Sequence, residues 1–288
     1  MTDTPIHADN VAQADYWGGQ AGRRWRDHQD HQDELLRPIS DRLAAAAKPK
    51  PGERVIDVGC GCGATTIDFA ASVSPGGEVL GIDISDLMLA RARERASADL
   101  PAKFIFADAT VHEMAAHWAD LIVSRFGVMF FADPTLAFAN LRRGLRRGGR
   151  LVFACWREAK QNPWMTLTLR EAVKHAPPLP ETRPEDPGPF AFAREDRVRR
   201  ILREAGFAEI ALNPIDLDLD VALGKGVDRA VVSALAIGPT SRVLEGQSEA
   251  VRAAAAADIR AALAARADGD SVPLGAAIWI VTATNPEA

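Results

Sequence analysis

Between residues 54 and 156 short apolar runs alternate with stretches of helical period. The runs 54–58, 78–83, 103–108, 121–124 and 150–156 are bounded by turn residues and read as buried strands. The segments 64–74, 86–97 and 134–145 read as helices, the first stopped by PGG and the third by RRGG. Strands alternating with helices predict a parallel sheet covered on both faces. Upstream, 11–36 reads as one helix, because Trp17, Ala21, Trp25 and Gln29 recur every four positions and share a face. Pro38 fits the first turn of a second helix running to about Ala47, and KPKPGE then breaks the chain.

After Trp156 the rhythm stops. Residues 157–193 are Pro-rich, with one helical stretch at 165–174, and 196–205 is a helix closed by Gly206. Two further strands are expected at 210–219 and 276–284, with helical segments at 227–236 and 248–265 between them. The expected class is therefore α/β, a seven-stranded sheet with helices on both faces and a helical cap. We divide the chain into an N-terminal helical cap segment (1–48), a ligand-binding core (49–156) and a cap or substrate insertion (157–195). The rest of the core is 196–288, with a helical insertion at about 222–272. The extra helices are read as a cap because ligands of open α/β sheets bind at the carboxyl ends of the strands.

Composition narrows the function classes. The 288 residues carry a formal net charge of −5, which does not point to nucleic acid. Three cysteines, Cys60, Cys62 and Cys155, make no disulfide framework and suit a reducing compartment. The first ten residues, MTDTPIHADN, lack the charged and apolar regions of a secretory signal, and no run reaches the roughly 18 apolar residues of a membrane span. A cytoplasmic protein with a small-molecule partner, neither nucleic acid nor membrane, is expected, with its oligomeric state open.

The stretch VIDVGCGCGATT, 55–66, concentrates the chemistry. A phosphate-binding P-loop needs Lys then Ser or Thr after its last glycine, but Ala64, Thr65 and Thr66 follow Gly63. A dinucleotide fingerprint is G-x-G-x-x-G, and here the third glycine falls one place early. Cys60 and Cys62 have no Cys or His partners nearby, so no metal site is expected and the pair reads as small residues in a tight loop. What remains is a loop that brings backbone close to a ligand without a phosphate.

D-V-G-C-G-C-G at 57–63 resembles the first motif of class I S-adenosylmethionine (AdoMet)-dependent methyltransferases, acid-x-G-x-G-x-G. The resemblance implies a Rossmann-like sheet, mostly parallel with its last strand antiparallel, and AdoMet as cofactor with S-adenosylhomocysteine (AdoHcy) as product. Asp57, Gly59, Cys60, Gly61 and Gly63 would border the methionine part, where glycine lets the backbone approach. Asp83, in G-I-D-I-S, would accept the ribose hydroxyls, though an acid there also suits NAD. In F-A-D-A, Asp108 would take the adenine amino group and the backbone of Ala109 a ring nitrogen, while Ile84 and Met88 match the positions that sandwich the adenine. Ser124 at the fourth strand tip completes this set.

The layout, with V-S-R-F-G-V-M-F-F at 123–131 and L-R-R-G-G-R-L-V-F after it, resembles the small-molecule branch near the ubiquinone and menaquinone C-methyltransferases. N-P-W at 162–164 echoes the N-P-P-Y signature of enzymes acting on DNA bases, but it follows the fifth strand and not the fourth, so nucleic acid is discounted. Trp17 and Trp25 are expected to close over the cofactor and Gln29 to hydrogen-bond its methionine end, with Arg24 a weaker partner for its carboxylate. Phe126, Met129, Phe130 and Trp164 would suit an apolar or aromatic acceptor. A base is needed only for some acceptors, and the candidates, His28, His31 and His175, each read more readily as solvated surface groups. The expected function is methyl transfer to a small acceptor by in-line displacement. The alternatives are an NAD-dependent oxidoreductase and a non-catalytic AdoMet-binding protein.

Overall fold

Each apolar run of the first half forms a strand, and a helix follows most of them. The computed structural model describes residues 5–180 and 183–287. The strands are β1 (Arg54–Val58), β2 (Glu78–Asp83), β3 (Ala102–Phe106), β4 (Ala119–Arg125), β5 (Leu145–Trp156), β6 (Ala208–Asp220) and β7 (Pro273–Thr284). The helices are α1 (Val11–Gly18), α2 (Gln20–Asp27), α3 (Gln29–Ala47), α4 (Ala64–Val73), α5 (Asp86–Arg95), α6 (Pro134–Gly144), α7 (Pro163–Ala172), α8 (Glu195–Glu204), α9 (Gly226–Ala236), α10 (Pro239–Val243) and α11 (Glu249–Ala264).

The strands form one seven-stranded sheet in the order β3-β2-β1-β4-β5-β7-β6. Neighbours from β3 to β5 pair in parallel, and β7 runs antiparallel to both β5 and β6. The order reverses between β1 and β4, the switch point at whose carboxyl side a ligand crevice is expected. β6 pairs only with β7, so it is an edge, the place in a sheet where a proline such as Pro214 is tolerated, and Asp216 and Asp218 discourage pairing with another chain.

The N-terminal helical reading needs correction. Residues 11–36 are not one helix: the chain breaks at Gly19, whose ψ of −138° is not helical, and again at His28, giving three helices. Pro38 lies inside α3 and not in a first turn. α3 holds because Leu35, Leu36, Ile39, Leu43 and Ala47 form one stripe, all 5% exposed or less, against the sheet. At about 1.5–3 kcal/mol per buried aliphatic side chain, that stripe outweighs the one helical bond a proline removes.

Beyond β5 a second apolar cluster gathers Leu167 and Ala172 of α7, Ala230 and Val231 of α9, Val243 of α10, and Ala255, Ile259 and Leu263 of α11. This helical layer has its own core, and Trp164 and Val221 pack against both it and the sheet core. α10 has no counterpart among the expected elements, because five residues are too few to show a period. No helix among the described residues is long and apolar enough to cross a membrane.

Candidate cofactor and acceptor site

The glycine loop leaves β1 and runs into α4. Gly59, at φ +67°, lies so close to the loop after β4 that a Cβ there would stand 2.6 Å from the Cα of Gly127. Ser124 holds this crossing: its hydroxyl donates to the Val58 carbonyl (2.7 Å) and accepts from the Gly127 N–H (3.1 Å). Ser124 therefore braces the loop, and its hydroxyl is engaged by protein. Asp57 is fully buried, and one of its oxygens accepts from Thr65 (2.5 Å) and Thr66 (2.7 Å) in the first turn of α4. Its other oxygen is buried without a partner among the described residues, and burial pushes the carboxyl up. Cys60 and Cys62 are buried free thiols, and burial raises both, Cys62 to about 12. No cluster of potential metal ligands occurs among the described residues.

At the tip of β2, Asp83 accepts the Gly61 N–H (2.8 Å) on one oxygen and the Ser85 N–H (2.9 Å) on the other. A carboxylate has about four acceptor positions, so one on each oxygen is left. Burial pushes this carboxyl up to about 6, against backbone hydrogen bonds, those of Gly61 and Ser85 foremost, that pull it down. Ile84, Leu87 and Asp86 beside it, Phe106 of β3, and Ala14, Asp15 and Gly18 of α1 line a cavity of about 520 Å³. Met88 is buried beneath the loop, its sulfur 3.9 Å from where a Cβ of Gly61 would lie.

At the tip of β3, Asp108 is 1% exposed and accepts from His7 N–H (2.9 Å), Thr110 N–H (2.8 Å) and the Asn10 amide (2.9 and 3.0 Å). Ala109 is buried next to it, and its carbonyl accepts from Asn140. Asn10 was not among the residues expected here, and neither composition nor periodicity singles it out. The N-terminal helices also touch the second tip. Ser85, the N-cap of α5, donates to the Trp17 carbonyl (2.7 Å).

Other expectations are redistributed. Trp17 and Trp25 belong to different helices yet meet edge to face at 6.3 Å, and Trp17 meets Phe130 at 5.0 Å. Gln29 is buried, and its amide is taken by Asp33 (2.6 Å) and Arg91 (3.2 Å), which makes it part of a brace and not a free group. Asp33 is the hub of that brace. It accepts from Arg95 (2.7 Å), which also donates to the Cys62 carbonyl (2.5 Å), and pairs with Arg125 (3.5 Å) at the end of β4. These three residues tie α3, α5 and β4 to the glycine loop. Arg24 pairs with Glu245 (3.2 Å) and not with anything at the strand tips.

Phe126 stacks on Trp156 at 4.1 Å and 10°, and Trp156 meets Trp164 at 4.9 Å. Met129 is 1% exposed and belongs to the sheet core. Trp164 keeps its indole N–H buried and without a partner among the described residues. Of the histidines, His31 is buried and not solvated, in contact with Arg229 (3.3 Å), and burial followed by that guanidinium lowers it to about 4. His28 joins α2 to α3, and His175 pairs with Asp258 (2.9 Å) in the helical layer. The structure does not gather these histidines into one site.

Residues 55–149 match a family described as "Methyltransferase domain". Nocamycin O-methyltransferase of Saccharothrix syringae is 31% identical over 198 residues, 65% of this chain and 70% of that protein. The biotin biosynthesis bifunctional protein BioCD of Bordetella avium (strain 197N) is 33% identical over 168 residues, 57% of this chain, which spans only 35% of that longer protein. The solved phosphoethanolamine N-methyltransferase 2 of Haemonchus contortus, in complex with AdoMet, superposes with a TM-score of 0.53 at 18% identity, covering 86% of this chain and 52% of that one. The chain belongs to the AdoMet-dependent methyltransferases, and AdoMet is its cofactor.

Proposed function

We propose that the chain transfers a methyl group from AdoMet to a small, apolar or aromatic acceptor by in-line displacement. The observation that carries this reading is Asp83: a buried carboxylate at the tip of β2, beside β1 of the switch point, with one acceptor position left on each oxygen, bonded to the glycine loop through Gly61 and followed by Ile84, which lines an open cleft of about 520 Å³. That arrangement suits two ribose hydroxyls with a base beside them.

The residues present fit the group. The close crossing of Gly59 and Gly127 keeps side chains out of the loop, and the unpartnered oxygen of Asp57 is available to a donor such as the ammonium of the methionine part. Ile84 and Phe106 line the cavity that would take the adenine, with Asp108 and Ala109 at the next tip. When bound, AdoMet supplies a methyl group already activated by its sulfonium, so holding the acceptor in line does most of the work.

For the acceptor, Phe130 and Trp17 offer aromatic edges on the sheet side, and Trp164 offers an unpartnered N–H at the seam with the helical layer. An apolar ring bearing an oxygen would satisfy both features. We assign no catalytic base: His31 is held neutral by burial and Arg229, and His175 is committed to Asp258. The division into a core and a cap is part of the same reading, with the helical layer and α1–α3 closing the acceptor space. The early third glycine and the Asp108 tip speak against an NAD-dependent oxidoreductase.

The test has two arms. AdoMet, and not NAD, should raise the thermal midpoint, as any ligand of the native state does. Labelled AdoMet should then give a methylated product with at least one member of a panel of phenols, quinols and amines. A midpoint that moves with NAD alone rules the reading out, and tight AdoMet binding with no turnover across the panel points to a non-catalytic binder.

A further inference from the structure

One side chain fastens the turn before α1 to the third strand tip. Asn10 is 3% exposed and sits 98 residues away in sequence from the carboxylate it bonds. Its Nδ2 donates to both oxygens of Asp108 (2.9 and 3.0 Å) and to Thr110 Oγ1 (2.9 Å), while its Oδ1 accepts from the Ala132 N–H (3.0 Å). Three acceptors on one side and a donor on the other fix which way the amide points. One of its two hydrogens serves Thr110, so the other is shared between the two Asp108 oxygens.

The hydrogen count at Asp108 follows. It receives one hydrogen from Asn10, one from the His7 N–H and one from the Thr110 N–H. Of about four acceptor positions, three are filled by protein and one remains. We propose that Asn10, with the His7 N–H, is a positioning residue for the cofactor: it fixes the Asp108 carboxylate so that the remaining acceptor position reads the 6-amino group of the adenine. The proposal rests on the assignment of Asp108 as the adenine partner. It extends the cofactor site into the N-terminal segment, which meets two strand tips, through Asn10 at the third and through the Trp17 carbonyl and Ser85 at the second. Gln13, one helical turn from Asn10, keeps a buried amide oxygen without a partner among the described residues, so the same stretch of α1 has a further polar group to offer a ligand. Asn is suited to the role where Asp is not, because a second carboxylate at this distance would repel the first.

The experiment compares AdoHcy with its analogue lacking the purine 6-amino group, by calorimetry on the full chain. A hydrogen bond to a held carboxylate should favour AdoHcy by about tenfold or more in the unaltered protein. Asn10→Ala should shrink that ratio to about two- to threefold. A general loosening of the fold would weaken both ligands together and leave the ratio intact. His7→Pro is the second variant, should Asn10→Ala fail to fold. His7 has φ −60°, which proline adopts; the change removes the N–H and sets the ring Cδ in its place against the Asp108 oxygen, so it displaces the carboxylate and should also lower the ratio. Asp108→Ala, which leaves no side-chain acceptor, separates the two levels. If it removes the preference while Asn10→Ala and His7→Pro keep it, the positioning role is wrong. If Asp108→Ala itself keeps the preference, the assignment of Asp108 to the adenine is wrong and the proposal falls with it.

Discussion

The strand tips and the helical layer beyond β5 are packed on different principles. At the tips, buried polar groups are held by named partners: Asp57 by Thr65 and Thr66, Asp83 by Gly61 and Ser85, Asp108 by Asn10 and His7. The helical layer is held by alanines and a few aliphatic side chains, among them Ala230, Ala255, Ile259 and Leu263. Where it meets the N-terminal helices the contacts are charged and partly exposed: Arg24 with Glu245, Lys225 with Glu34, and Arg242 over the ring of Tyr16. Polar networks specify one geometry, because a partner lost in a buried place costs its full desolvation. Apolar packing of small residues tolerates exchange as long as volume is kept. A cofactor shared by a family suits the first kind of construction, and an acceptor that differs between relatives suits the second.

The comparison breaks most sharply at Asp83. Asp83→Ala should weaken AdoMet by about 100-fold or more, from the loss of two hydrogen bonds to a charged group, while circular dichroism shows a folded protein. Unchanged binding by calorimetry would remove the tip from the site. Ile259→Ala, at a position with no exposure in the core of the helical layer, should cost about 2–5 kcal/mol in denaturant unfolding. If the two regions are as separate as their packing implies, it raises the acceptor KM and leaves the AdoMet Kd within about twofold; a parallel loss of AdoMet affinity would contradict that separation.

The pH dependence is smaller. Because burial raises Asp83 to about 6, ionising it in the free folded protein is unfavourable. Its contribution to stability is present below the ordinary carboxylate range and is lost as pH rises through about 6. Binding has the opposite sense, since ribose hydroxyls need the ionised form as acceptor. AdoMet affinity should fall by about tenfold between a plateau above pH 7 and pH 5, and Asp83→Asn should flatten that profile. The smallest effect is expected at Arg24, whose pair with Glu245 is partly exposed. Arg24→Ala should change stability by less than about 1 kcal/mol and AdoMet binding hardly at all. A large loss of binding would return Arg24 to the cofactor carboxylate.

Much of the cofactor half is legible in the chain. The strands at 54–58 and 78–83 have the expected bounds, the third and fourth shift at their ends, and β5 begins earlier, at Leu145. The glycine loop is legible because a backbone crossing such as Gly59 against Gly127 admits no side chain. The N-terminal segment is less so. A four-residue recurrence suggests one helix, but Gly19 and His28 turn the chain and place Trp17, Trp25 and Gln29 on three helices, where Trp17 and Trp25 still touch. His31 reads as a surface group until α9 brings Arg229 over it.

What the sequence determines by itself, then, is the alternation of strands and helices, the spelling of the loop, and an acid at each of the next two strand ends, because period and backbone strain act over a few neighbouring residues. The tertiary structure alone decides which distant groups hold those acids. Asn10 reaches Asp108 across 98 positions and Arg229 reaches His31 across 198, and no local pattern encodes a contact made only when distant helices dock on the sheet.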